Sequence, residues 1–382
     1  MMATKAGWAP RHEAIRRRRQ RMLFTIGLFV LAMLTLGRAH WVTQLDKSLL
    51  SRAEHRIHSV GARVRARPSS TTLKAAPVDG LPAGMVLGYF YDPGNAGNAA
   101  SMLNHYLPVL SGIIPFWYTI QANGSISGQT NPAVLRLAQK HNLWTFALVE
   151  NMAGQSVFGP LLNNSVARSR AIDNMLTLVE DNGYDGINLD WEGIAATERN
   201  AFTQFVAQLS TTFHRHGYYV TLSVPAETAN QPGNSWTGAY NYSRLAKSAD
   251  LLMIMAYDQH WAGGSPGPIA SPTWVQSVLK YTLSVVPPSK VVLGIPGYGY
   301  DWGGSGTTAL SYGQAKTLAN QYGKSTGSNH FEYVQNGQVH SVWFENTTSF
   351  LSKIKLVSGY ELRGIALWRL GIEDPKIWNF LQ

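Results

Sequence analysis

Residues 185–192 read Asp185-Gly186-Ile187-Asn188-Leu189-Asp190-Trp191-Glu192, a polar and apolar alternation entered through a glycine. Successive side chains of a strand point to opposite faces, so Asn188, Asp190 and Glu192 share one face and Ile187, Leu189 and Trp191 share the other. The apolar set suits a layer of covering helices, which leaves the polar set facing inward. Two carboxylates two residues apart repel, which tends to keep a proton on one of them, as a general acid requires. A structural polar cluster is the competing reading, and it would need a full network of buried partners.

Outward from this stretch, short β-rich apolar runs alternate with amphipathic helical ones. The runs are Met85–Tyr91, Ile113–Ile120, Trp144–Glu150, Gly186–Glu192, Tyr219–Val224, Leu251–Tyr257, Val291–Pro296 and Gly364–Leu370. Helical patterns between them include Val166–Asn182, Thr197–His216 and Thr273–Val286. Eight strands over residues 84–382 predict an α/β fold, a (β/α)8 TIM barrel, with its active site at the C-terminal ends of the strands. The longest interval separates strands seven and eight. It carries Asn336-Gly337 between β-rich residues, a type I′ turn signal that predicts a small insertion there.

The chain has 382 residues, 45% of them apolar and 14% charged, which is a globular composition. It has no cysteine, so disulfides, cysteine nucleophiles and thiolate metal sites are excluded. The net charge of +10 is confined to one end: residues 1–83 hold 15 Lys and Arg against 4 Asp and Glu, residues 84–382 hold 17 against 18. The near-neutral remainder has no electrostatic footprint for nucleic acid.

Arg16 to Arg19 and Arg21 lead directly into the uncharged run Met22 to Gly37. Residues 1–21 therefore read as a basic cytoplasmic segment, and 22–42 as one N-terminal transmembrane signal-anchor. Snorkelling by Arg21 and an interfacial Trp41 extend a run that is short for a bilayer. The arginines place everything after the run outside the cytoplasm. Secretion after signal cleavage is the alternative, but no convincing small-x-small cleavage site follows the run. Residues 43–83, with Ser69-Ser70-Thr71-Thr72 and Pro68, Pro77 and Pro82, read as a stalk. Nothing in the sequence specifies an oligomeric state.

The stretch 185–192 resembles the signature of glycoside hydrolase family 18, Asp-Gly-x-Asp-x-Asp-x-Glu on the fourth strand of a (β/α)8 barrel. Met255-Ala256-Tyr257-Asp258 and Gly294-Ile295-Pro296-Gly297-Tyr298-Gly299 resemble its sixth- and seventh-strand motifs. Trp368 matches the tryptophan beneath the bound sugar. A narrower likeness, through Trp236–Tyr242, Tyr257–Trp261 and Gly264–Pro268, is to the bacterial spore-germination and cortex-lytic branch, whose members act on peptidoglycan. Gly364–Gly371 also resembles family-18 domains attached to membrane glycosyltransferases. Asn188 stands where many chitinases have the first aspartate of the motif, so it cannot share a proton with Asp190.

The resemblance implies hydrolysis of a polysaccharide containing N-acetylglucosamine, by a substrate-assisted retaining route. Glu192 would be the acid and base, and Asp190 would hold the acetamido N–H. Tyr257 would position that group, with Trp368 beneath the ring. Asn188, Asp258, Gln259 and Tyr298 belong to the matched motifs and would contact substrate. No metal and no cofactor is implied. The alternative, a non-catalytic carbohydrate-binding barrel, typically lacks the glutamate retained here as Glu192. Aromatics near strand ends, Tyr89, Tyr118, Trp144, Trp261 and Trp302, read equally well as core.

Other signals fail on their own chemistry. Gly263-Gly264-Ser265-Pro266-Gly267 fits a nucleophile-elbow pattern, but Pro266 lacks the N–H that the oxyanion hole needs. His214 and His216 show no metal-ligand spacing.

Overall fold

The computed structural model describes residues 81, 83–92, 96–152, 154–304 and 306–381. The expected cytoplasmic segment, the anchor at 22–42 and nearly all of the stalk lie outside the described residues. Among the described residues no helix is long and apolar enough to cross a membrane.

Thirteen strands are described: β1 (Met85–Phe90), β2 (Gly112–Ile120), β3 (Ile126–Gly128), β4 (Trp144–Glu150), β5 (Gly186–Asp190), β6 (Tyr219–Pro225), β7 (Leu251–Met255), β8 (Val291–Pro296), β9 (Tyr298–Gly303), β10 (Gly306–Ser311), β11 (His330–Gln335), β12 (Gln338–Phe344) and β13 (Gly364–Trp368). Eight of them pair in parallel in the order β1-β13-β8-β7-β6-β5-β4-β2, and β1 pairs with β2 to close the barrel. These eight are the eight runs expected from the sequence. Both faces of a barrel strand are covered, which is why β1 and β8 are apolar and buried throughout.

Two cores result. Met85, Leu87, Tyr89, Ile114, Phe146, Leu148, Leu251, Met253, Val292 and Ala366 fill the inside of the barrel. A larger core between strands and helices takes the alternate side chains, Ile187, Leu189 and Trp191 among them. The inward and outward assignment of residues 187–191 therefore matches the alternation of the sequence. Glycine opens β5 and β13 for a steric reason. A Cβ at Gly186 would lie 2.3 Å from the Tyr219 carbonyl oxygen, and one at Gly364 would lie 2.0 Å from that of Met85.

The expected helices are present with small shifts at their ends, as Ser165–Asn182, Arg199–Arg215 and Pro272–Val285. Local chemistry sets those ends. Asn164 accepts from the N–H groups of Val166 and Ala167 at the start of the first, and Gly183 closes it at φ 68°. Ser271 caps the third, with Pro272 at its first position.

The insertion between β8 and β13 is larger than a hairpin. It is an antiparallel sheet of order β10-β9-β12-β11, with the helix Tyr312–Gln321 between β10 and β11. Its own core includes Leu310, Ala315, Phe331, Tyr333 and Phe344. The predicted turn joins β11 to β12, and both central residues have positive φ, Asn336 at 52° and Gly337 at 75°, as a type I′ turn requires.

Candidate active site

The C-terminal ends of the barrel strands carry the polar inward positions. Asn188 sits deepest, fully buried on β5. Its amide nitrogen donates to the Thr221 hydroxyl at 3.0 Å and its oxygen accepts from the Ser223 hydroxyl at 2.9 Å. The Ser223 hydroxyl in turn lies 2.7 Å from that of Tyr89, and Thr221 donates to the Ile187 carbonyl at 2.9 Å. Asn188 is thus a buried member of a hydrogen-bonded chain across β5, β6 and β1. Both of its polar groups are bonded within the barrel.

Asp190 ends β5 and is 3% exposed. Glu192 lies two residues further, past the end of the strand, and is half-buried. The expected strand Gly186–Glu192 is therefore two residues shorter, because the chain leaves the sheet at Trp191. That side chain is 1% exposed and wedged among Phe158, Phe202 and Phe205, with ring centroids at 5.3, 6.0 and 4.9 Å. An outward anchor on one side of Glu192 and Gly193 at φ 71° on the other fix the backbone around it.

Tyr257 follows β7 and is half-buried. Burial above all, then the neighbouring Tyr89, Asp190, Glu192 and Asp258, holds its hydroxyl well above the ordinary phenol range. The same physics applies to Tyr89, raised by burial and then by Asp190 and Glu192. Tyr89 and Tyr257 therefore stay protonated and can donate hydrogen bonds beside the two carboxylates.

Trp368 ends β13, half-buried, and packs edge-on against Tyr89 at 5.2 Å and Phe116 at 5.7 Å. The peptide bond from Trp368 to Arg369 is cis. The Arg369 guanidinium lies 4.8 Å from the Tyr91 ring centroid. Asp258 is exposed at φ 57° and accepts from the hydroxyls of Tyr298 and Tyr300, at 2.5 and 3.0 Å. Tyr298 and Asp258 together tie the loop after β7 to the insertion sheet. The side-chain oxygen of Gln259 accepts from Ser271 N–H at 2.8 Å, at the start of helix Pro272–Val285.

Of the expected residues, Asp190, Glu192, Tyr257 and Trp368 converge on the barrel mouth, and Asp258 and Tyr298 form its edge toward the insertion. Among the aromatics, Tyr89 is inside the barrel, Tyr118 in the outer core and Trp302 in a separate cluster with Ile269, Tyr298 and Tyr300, while Trp261 is 37% exposed.

The sequence reading missed two polar groups beside the site. Glu150, 5% exposed, ends β4 in register with Asp190 and accepts from the Thr119 hydroxyl and the Met152 N–H. Asn151 bonds to both backbone groups of Glu192, donating to its carbonyl at 2.9 Å and accepting from its N–H at 2.9 Å. An acidic and an amide residue closing an otherwise apolar strand was the available signal for both.

An inward Asp190 and half-buried Glu192 between protonated phenols and a tryptophan at a barrel mouth can deliver a proton to a bound ether oxygen. Comparisons with known proteins agree with that chemistry. Residues 100–373 match the glycosyl hydrolases family 18. An uncharacterized glycosylase of Bacillus subtilis, YvbX, is 30% identical over 78% of this chain and 91% of its own length. The cortical fragment-lytic enzyme of the same organism is 27% identical over 75% of this chain and 70% of its own. The crystal structure of a chitinase from Chromobacterium violaceum superposes with a TM-score of 0.72 at 29% identity, covering 78% of this chain and 98% of that one. With the barrel, the ordered motifs and the site in agreement, the chain belongs to glycosyl hydrolase family 18, the chitinase-like glycosidases.

Proposed function

We propose that this glycosidase cuts β-1,4 bonds next to N-acetylglucosamine in cell-wall peptidoglycan or a chitin-like polymer, with retention of configuration. The observation that carries the reading is the placement of Glu192 past the end of β5, one inward position beyond Asp190 and beside Tyr257. Glu192 protonates the glycosidic oxygen. The substrate's 2-acetamido oxygen attacks the anomeric carbon, breaking the bond to the leaving sugar and closing a cationic oxazolinium ring. Asp190 accepts from the acetamido N–H and balances that positive charge, and the Tyr257 hydroxyl holds the acetamido group in place. Glu192, now a carboxylate, takes a proton from the water that opens the ring, which restores its starting state.

The cortical fragment-lytic relative supports the cell wall as the polymer, and the chitinase neighbour supports the shared N-acetylglucosamine chemistry. The arginine block and apolar run support a cell-surface or spore-envelope enzyme tethered through residues 22–42, with 43–83 as a stalk. Digestion of peptidoglycan and chitin oligomers by the full chain, beside Glu192→Gln, tests the chemistry. Release of reducing ends by the wild type alone is expected. Binding of a polymer without cleavage by either protein would make this a carbohydrate-binding barrel instead. Membrane fractionation with and without residues 1–42 tests the tether, which predicts recovery in the membrane fraction only when they are present.

A further inference from the structure

The parallel register between β4 and β5 runs step by step from Phe146↔Gly186 to Glu150↔Asp190. One residue on, the third barrel strand turns away. Gly154 N–H donates to the Asn151 carbonyl at 2.7 Å, and a short 3-10 helix begins at Gln155. At this point the Asn151 side chain reaches across to Glu192 and makes both of the bonds that a continuing parallel strand would make. Its nitrogen donates to the Glu192 carbonyl and its oxygen accepts from the Glu192 N–H, each at 2.9 Å. A carboxamide carries the same donor and acceptor pair as a peptide, so it can continue a ladder that the backbone has abandoned.

We propose that Asn151 is a positioning residue that clasps the backbone of Glu192 and sets the height of its carboxyl group over the barrel mouth. The inference rests on Glu192 being the acid and base of the reaction. Trp191 is held from the outside by its aromatic packing and by the Tyr240 hydroxyl on its carbonyl. Glu192 is the next residue, past the sheet, and the clasp restrains it from the β4 side. A proton donor misplaced by about 1 Å loses on the order of 100-fold in rate, so a two-point restraint on its backbone acts on turnover more than on substrate binding.

The test uses the full chain as wild type, Asn151→Ala, Asn151→Asp and Glu192→Gln, on peptidoglycan and chitin oligomers, from about pH 4 to about pH 9, with the Tm of each protein. Asn151→Ala is expected to lower kcat by roughly 30- to 100-fold with KM changed less than about 3-fold. Asn151→Asp keeps the acceptor, loses the donor and adds a negative charge beside Glu192. It is expected to move the alkaline limb of kcat upward, because a like charge disfavours ionising the acid. Asn151→Asp is nearly isosteric, so its pH limb decides the matter if the alanine variant does not fold. The proposal is overturned if the folded variants keep the wild-type kcat and alkaline limb whatever their Tm, or if only KM rises. An inactive Glu192→Gln alongside an unchanged Asn151→Ala sinks the clasp alone. A fully active Glu192→Gln removes the reading of Glu192 and the clasp with it.

Discussion

The Tyr240 hydroxyl donates to the Trp191 carbonyl at 2.5 Å, joining the loop after β6 to the residue that precedes Glu192. Both side chains are buried, and the Tyr240 ring stands edge-on to Phe202 at 5.7 Å. Tyr240→Phe keeps that packing and strands a buried carbonyl. The expected cost is about 1–3 kcal/mol of unfolding free energy, read from urea denaturation. A change below about 0.5 kcal/mol would show that water or another donor replaces the hydroxyl.

Substrate-assisted chemistry makes the acetamido group indispensable. A β-1,4 glucose polymer, with a hydroxyl in its place, should resist the enzyme even at high concentration. Asp190→Asn should lower kcat by about 100-fold or more while leaving binding of N-acetylglucosamine oligomers within about 3-fold. NMR of the first product formed should show the β anomer, and an initial α anomer would refute retention.

Asn188→Asp restores the residue many chitinases have, but here it removes the donor to the Thr221 hydroxyl and puts an acid into a fully buried site. Burial raises the folded-state pKa of such an acid above its unfolded value. The unfolded chain then ionises first, and stability falls as pH rises through the unfolded pKa, levelling off above the folded one. The variant should be close to wild type near pH 4 and clearly less stable near pH 8 in thermal melts. Equal loss at both values would mean that the lost bond, not the charge, dominates.

Glu227 supplies a second pH dependence, outside the proposed chemistry. It follows β6, is 3% exposed, and burial pushes its carboxyl up to about 8 against opposing pulls from Arg199 and the Tyr281 hydroxyl. An acid with a raised folded pKa destabilises progressively from its unfolded value of about 4.5 up to about 8, and the penalty is constant above that. Glu227→Gln removes the titration. Its Tm relative to wild type should therefore rise between about pH 5 and about pH 8 and stay flat beyond. A difference independent of pH would show that Glu227 does not titrate in this window.

How far each part could be read in the chain follows from the range of the forces involved. The alternation in residues 187–191 is local, so the inward face of Asn188 and Asp190 could be assigned from sequence and holds in the barrel. The same holds for the I′ turn at Asn336-Gly337, where backbone sterics act on two residues. The extent of the insertion was underestimated because β9 pairs with β12 across the whole segment, a non-local contact without a periodic signature. Gln259 and Asn188 carry motif identity, while the bonds they make, Gln259 Oε1 with Ser271 and Asn188 with Thr221 and Ser223, come from other segments. A motif records which residue is present, and hydrogen-bond partners arrive from other strands.

The eight strands, the inward carboxylates, the family and the neutrality of residues 84–382 are legible along the chain, because side-chain alternation, turn chemistry and charge act between near neighbours. That Glu192 stands beyond its strand, that Trp191 anchors it outward, and that Asn151 bonds to it from the end of β4 emerges only in the folded barrel. The bonds between Asn151 and Glu192 join residues 41 positions apart, brought together by closing the barrel. No local pattern along the chain encodes which side chain a closed sheet will bring to the end of its neighbour.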